Sequence, residues 1–105
     1  VMLRTGPAKD VDKQVSDSLF KLHLSNMGEM AARGKLIVAG PFKKNERSYR
    51  GIFILNVKTL EEADALLSGD AAIKARLLEA ESFYWYGSAA LPMYLQYHNE
   101  IEKSR

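Results

Sequence analysis

The chain has 105 residues, 47% of them hydrophobic, and a formal net charge of +2, which suits one domain with a core of its own. It has no cysteine, which excludes disulfides, thiolate metal ligands and thiol nucleophiles. Its basic residues are scattered rather than gathered as a nucleic-acid binder requires, and no apolar run approaches the roughly 18 residues of a membrane span.

Residues 1–5 read as a strand ended by Gly6-Pro7. The chain opens on Val1 inside that strand, which leaves room upstream for more strand or a targeting segment. The absence of cysteine fits cytoplasm and periplasm alike; the cytoplasm is the expected compartment, with periplasm or export left open. Asp10 or Asp12 then suits the positive end of a helix. At about 100° per residue, Val15, Leu19, Leu22, His23, Asn26, Met27 and Met30 share one sector of that helix. Lys13, Gln14, Asp17, Lys21, Ser25 and Gly28 fall opposite, and Gly34 closes the helix.

Leu36-Ile37-Val38-Ala39 is a short apolar strand stopped by Gly40-Pro41. After the polar loop 42–48, Tyr49 to Val57 forms the next strand, apolar in its middle on both faces, and the two make a hairpin. Thr59-Leu60-Glu61-Glu62 is a capping box that starts a helix ending at Gly69. Asp70 caps a short turn, Ala71-Ala72-Ile73. A final strand around Ala80–Tyr86 carries Phe83, Tyr84, Trp85 and Tyr86, and Pro92 opens a C-terminal helix with Leu91, Leu95 and His98 on one face.

This order predicts an α+β, ferredoxin-like βαββαβ domain: an antiparallel sheet with two helices on one face, plus a C-terminal helix. The central strands are apolar on both faces, yet the chain has helix enough for one. A bare apolar face of that size predicts a homodimer, sheet on sheet through the open face.

His23 and Asn26 are polar residues on the apolar face of the long helix. A buried polar group without a partner costs roughly 1–3 kcal/mol, so the pair implies a polar network or a wet pocket. His23 is read either as a packed histidine held by a backbone carbonyl or as a general acid/base. Arg50 is read as a solvated strand residue or as a clamp for a substrate carboxylate. Tyr49, Trp85 and Tyr86 are read as packing or interface residues, with the walls of a planar ligand's pocket as the alternative. His98 fits packing, and Lys43, Lys44 and Arg47 a solvated loop or a lid over an anion. Two distant histidines without a cluster of acids at ligand spacing predict no metal site, and no glycine-rich phosphate loop or other cofactor signature is present.

His23-x-x-Asn26, Gly34-Lys35-Leu36, Ala39-Gly40-Pro41, Arg50-Gly51-Ile52-Phe53-Ile54-Leu55, Glu61-Glu62-Ala63 and Gly69-Asp70 occur in order. On these motifs residues 1–87 resemble the YCII-related (YciI-like) domain family, and residues 88–105 look like a helical extension found in some members. The resemblance implies a dimeric α+β barrel, with clefts between sheet and helices. That superfamily includes small-molecule isomerases, lyases and oxygenases. It also implies an active centre of one His and one Asp, falling here on His23 and Asp70. The family often has Asp-Pro at this turn, whereas this chain has Asp70-Ala71.

Together these readings predict a cofactor-independent enzyme in which His23, oriented by Asp70, moves a proton on a small molecule. Asn26, Arg50, Tyr49 and Trp85 would bind that substrate, in an isomerase- or lyase-like reaction. The alternative is a non-catalytic ligand-binding or regulatory homodimer that uses the same cleft. A third reading is an interaction module built around the C-terminal helix.

Overall fold

Four antiparallel strands, β1 (Met2–Thr5), β2 (Leu36–Pro41), β3 (Tyr49–Leu55) and β4 (Leu78–Glu81), form one sheet in the order β2-β3-β1-β4. Four helices, α1 (Lys13–Ala32), α2 (Leu60–Leu67), α3 (Ala71–Lys74) and α4 (Met93–Lys103), complete the chain. The computed structural model describes residues 1–103; the expected extension is followed to 103, and its last two residues lie outside the described residues. The α+β class and the antiparallel sheet are as the sequence predicts.

Register decides which side chains meet the helices. Leu3 stands opposite Gly51 and Ala80, and Ala39 opposite Phe53, so these residues share the helix-facing side. Leu3, Leu36, Phe53 and Leu78 from the sheet pack there with Met30, Leu67 and Ala72 from α1, α2 and α3. The outer face carries Met2, Val38, Ile52 and Ile54, with Arg4 bridging Glu81 at 3.0 Å.

The expectation of a bare outer face needs correction: all four of these apolar residues are half-buried. Part of the cover comes from the chain itself. Residues 82–85 line a cavity together with Met2, Ile52 and Ile54, and α4 lies against β2. Leu91, Leu95 and His98 are half-buried, as their shared face predicts.

Helix α1 is set by its ends. The Asp12 carboxylate accepts from the Gln14 N–H at 2.7 Å. At the other end Gly34, at φ +71°, donates to the Ala31 carbonyl while Lys35 donates to that of Met30, the paired bonds of a Schellman stop. Its inward face is rotated from the expected one. Val15 and Leu22 are 51% and 54% exposed, whereas Phe20 turns in beside Leu19, His23, Met27 and Met30. Phe20 lies just past the Met27 edge of the expected sector, and packing turns that edge, with its larger ring, inward.

The last strand also differs. It spans Leu78–Glu81 rather than Ala80–Tyr86, because it pairs residue for residue with β1, Thr5↔Leu78 to Met2↔Glu81. Past that pairing Phe83, Tyr84, Trp85 and Tyr86 stand between 63% and 97% exposed. Strand β3 likewise ends at Leu55, two residues before the expected Val57.

Candidate functional site

Asp70 is placed by the turn between α2 and α3. Its N–H donates to the Leu67 carbonyl at 3.0 Å, which closes α2 and swings the carboxyl group toward α1. One oxygen, Oδ1, accepts from the Ala72 and Ile73 N–H groups at 2.9 and 3.2 Å, so Asp70 is the N-cap of α3 with Ala71 in the first helical position. The other oxygen, Oδ2, meets Nδ1 of His23 in α1, 47 residues away in sequence. The capping role read from the sequence and the contact with His23 that the resemblance implies coexist, one on each oxygen. Ala71 and Ala72 let the two helices approach: Ala72 is fully buried, and α1 packs directly on α3.

Asp70 is fully buried and His23 is 8% exposed. Burial by itself raises the Asp70 pKa. The hydrogen bond and charge of His23, then the amides of Ile73 and Ala72, outweigh it and hold the carboxyl below its ordinary value. A carboxylate kept ionised fixes the tautomer of its neighbour: Nδ1 of His23 carries the proton and donates it to Oδ2. The ring is set by two aromatics. Phe53 of β3 stacks on it at 5.9 Å and 18°, and Phe20, one turn earlier on α1, meets it edge-on at 6.1 Å and 83°.

Nε2 is the remaining nitrogen of His23. Among the described residues only one buried side-chain nitrogen or oxygen lacks a partner, Nδ2 of Asn26. Nε2, which has no protein partner, is therefore the atom through which the ring meets solvent. The arrangement is an imidazole gripped at Nδ1 with Nε2 unbonded, which suits a general base when the ring is neutral and an acid when it is protonated.

The other expected site residues are dispersed. Arg50 is exposed, and its guanidinium lies 5.9 Å from the centre of the Phe20 ring, on the side of the sheet that holds α1. A register shift between Leu3 and Arg4 makes Arg50 the unpaired residue of a bulge, which turns it to that side. Asn26 lines a separate cavity of about 510 Å³ with Glu29, Arg33, Lys35 and Glu62, in which neither His23 nor Asp70 has a part. Tyr49 is half-buried beside Phe42, with its N–H and carbonyl both held by the Asn45 side chain. Trp85 lines an apolar cavity of about 350 Å³ beyond the end of β1. Lys43, Lys44 and Arg47 are exposed on the loop that Asn45 organises, and His98 stacks on Tyr94 within α4 at 5.7 Å. The sequence reading missed Phe20 and Phe53 as the walls of the histidine. Phe20 is three residues before His23, the spacing of neighbours on a helix, so that signal was present.

The depressed Asp70 pKa makes folding stability depend on pH. The unfolded carboxyl titrates near its ordinary value and the folded one below it. The folded state therefore gains stability above the unfolded pKa and loses it as pH falls through the folded pKa. Urea midpoints measured from about pH 2.5 to 7 should fall below about pH 4, and more steeply for the natural chain than for Asp70→Asn. Parallel curves would show that this carboxylate contributes nothing to the acid limb.

Among the described residues no helix is long and apolar enough to cross a membrane, and no three His, Asp or Glu side chains gather as metal ligands would. Compared with known proteins, the chain matches no family model, no curated protein and no solved structure.

Proposed function

We propose that this chain is a small-molecule enzyme of the YCII-like type, a ferredoxin-like domain that pairs as a dimeric α+β barrel and works by proton transfer. His23 is its general acid/base and Asp70 the group that orients it. The observation that carries this reading is the buried Asp70 carboxylate on Nδ1 of His23, with Nε2 left open to solvent. A base at Nε2 removes a proton from carbon next to a carbonyl or imine; returning it to another atom isomerises the substrate, and loss of a leaving group instead makes the reaction a lyase. Asp70 stabilises the imidazolium as it forms. The site needs no nucleophile of its own for either outcome. Arg50, whose guanidinium lies 5.9 Å from the centre of the Phe20 ring, is the group available to a substrate carboxylate.

The test is a metabolite screen by thermal shift, followed by turnover assays of the hits with the natural chain, His23→Gln and Asp70→Asn. Proton transfer by a positioned side chain is worth ~10²–10⁴ in rate, so His23→Gln should lose that much in kcat while still binding the hit. Undiminished turnover in both variants sinks the assignment.

One observation favours a second reading, a non-catalytic ligand-binding dimer. His23 lines none of three surface cavities and sits between two aromatic rings, as a structural polar pair between α1 and α3 would. That reading expects a metabolite to bind and be recovered unchanged.

A further inference from the structure

The close packing of α1 is with α3 and β2, and α2 stands off from its last two turns. The gap is a groove of about 510 Å³ on the helix side of the sheet. At one end Asn26 faces Gly69, where an added Cβ would come within 3.3 Å of the Asn26 Oδ1. At the other end Lys35, just past α1, and Val57, just ahead of α2, line the groove. The Asn56 N–H on the Lys35 carbonyl, at 2.7 Å, ties that end together. The two helices therefore run antiparallel along the groove, and neither His23 nor Asp70 lines it.

Each helix gives the groove one stripe. Asn26, Glu29, Met30 and Arg33 recur at the spacing that keeps to one face of α1, and Asn26 and Arg33 stand about 10.5 Å apart along it. From α2 come Glu62, Ala65 and Leu66. The middle is apolar, with Met30 buried and Leu66 half-buried. Around it stand two acids, Glu29 and Glu62, and two bases, Arg33 and Lys35. Glu29 and Arg33 have the order and spacing of a helical ion pair, yet none of the four charges is ion-paired among the described residues. The Asn26 end holds the buried Nδ2 that has no acceptor, an omission that costs roughly 1–3 kcal/mol. Balanced charges left unpaired at one end, a donor left unpaired at the other and an apolar middle describe the outline of a ligand.

We propose that the groove between α1 and α2 binds a linear α-amino acid of the glutamine type, zwitterionic at one end and carrying a carbonyl at the other. Arg33 and Lys35 take its carboxylate, and Glu29 and Glu62 its ammonium. Its methylenes lie on Met30 and Leu66, and its side-chain carbonyl is the acceptor for the Asn26 amide. A ligand of no net charge suits a groove lined by two charges of each sign. The volume is in the usual range for a small-molecule pocket. Binding here is separate from proton transfer at His23, so a failure of either leaves the other standing.

The test titrates the full chain with L-glutamine and follows the amide signals by NMR. Three analogues run beside it: glutaramate lacks the ammonium, 4-aminobutanamide lacks the carboxylate, and L-norvaline lacks the side-chain amide. L-glutamine should shift Lys35, Gly69 and the Asn26 side-chain amide, saturating below about 10 mM, and each analogue should bind at least tenfold more weakly. Arg33→Gln should weaken L-glutamine at least tenfold and leave 4-aminobutanamide unchanged. Asn26→Ala should bring L-glutamine down to the affinity of L-norvaline and leave L-norvaline unchanged. Should a variant unfold, the analogues decide the matter on the natural chain alone. No saturation at these residues below about 10 mM, analogues that bind as tightly as L-glutamine, or undiminished binding in both variants would each overturn the proposal.

Discussion

Asp70→Ala should cost about 2–4 kcal/mol of folding stability, the sum of about 1–3 for a buried hydrogen-bonding group left unpaired and about 1 for a lost helix cap. The loss has two separable parts, because the two carboxylate oxygens do different work. Oδ1 caps α3 through Ala72 and Ile73, a contribution of about 1 kcal/mol. Oδ2 satisfies Nδ1 of His23, which is left without a partner in a site with no room for easy solvation. Asp70→Asn separates these, since asparagine caps a helix about as well as aspartate. It cannot offer a carboxylate to the ring, so its loss should be smaller than that of the alanine variant by the cap alone. Urea denaturation of the three chains near neutral pH gives both numbers. For a domain whose whole stability is of order 5–15 kcal/mol, the alanine variant loses a large fraction of it. A loss under about 1 kcal/mol would mean that the pair holds nothing together.

Phe53→Ala should cost somewhat more, about 3–5 kcal/mol, for a different reason. Phe53 is 2% exposed and stands where β3 meets the inward faces of α1 and α2. Truncation loses the transfer energy of the ring and leaves a cavity whose walls are fixed by strand pairing on both sides, so little of it can collapse. The same ring is the stacked wall of His23. Phe53→Leu should therefore keep most of the stability while leaving the imidazole less well held. Urea denaturation reads the first effect, and line broadening of the His23 ring protons in NMR reads the second. Equal stability of the alanine variant and the natural chain would contradict a core centred on this residue.

How much of this was legible in the sequence depends on the range of the interaction. The helix ends were local and could be read: Asp12, Thr59 and Asp70 each accept from an N–H two or three residues on at a helix start, and Gly34 takes the left-handed turn that an L side chain resists. The candidate site was half legible. His23 stood out as a polar residue on an apolar face, but its partner came from a family resemblance, because nothing local in Gly69-Asp70-Ala71-Ala72 points to α1. Asn26 was grouped with His23 on helical spacing alone. Three residues along a helix turn a side chain by roughly 60°, enough to send Asn26 to a cavity that His23 does not line.

The strand errors share one cause. Strand ends are set by what lies alongside, so the aromatic run 83–86, a strand by propensity, projects into solvent where β1 gives it no neighbour. The bulge that sends Arg50 toward Phe20 is likewise a property of two strands in register.

The sequence by itself determined the class of fold, the order of elements, the caps and the oddity of a histidine on an apolar stripe. These follow from backbone hydrogen bonds and side-chain periods that close within a few residues. Only the tertiary structure decided that Asp70 reaches His23 with one oxygen while capping α3 with the other, and that Phe20 and Phe53 leave Nε2 as the open atom. Those depend on which faces meet across the sheet, and that is fixed by packing and register over the whole chain.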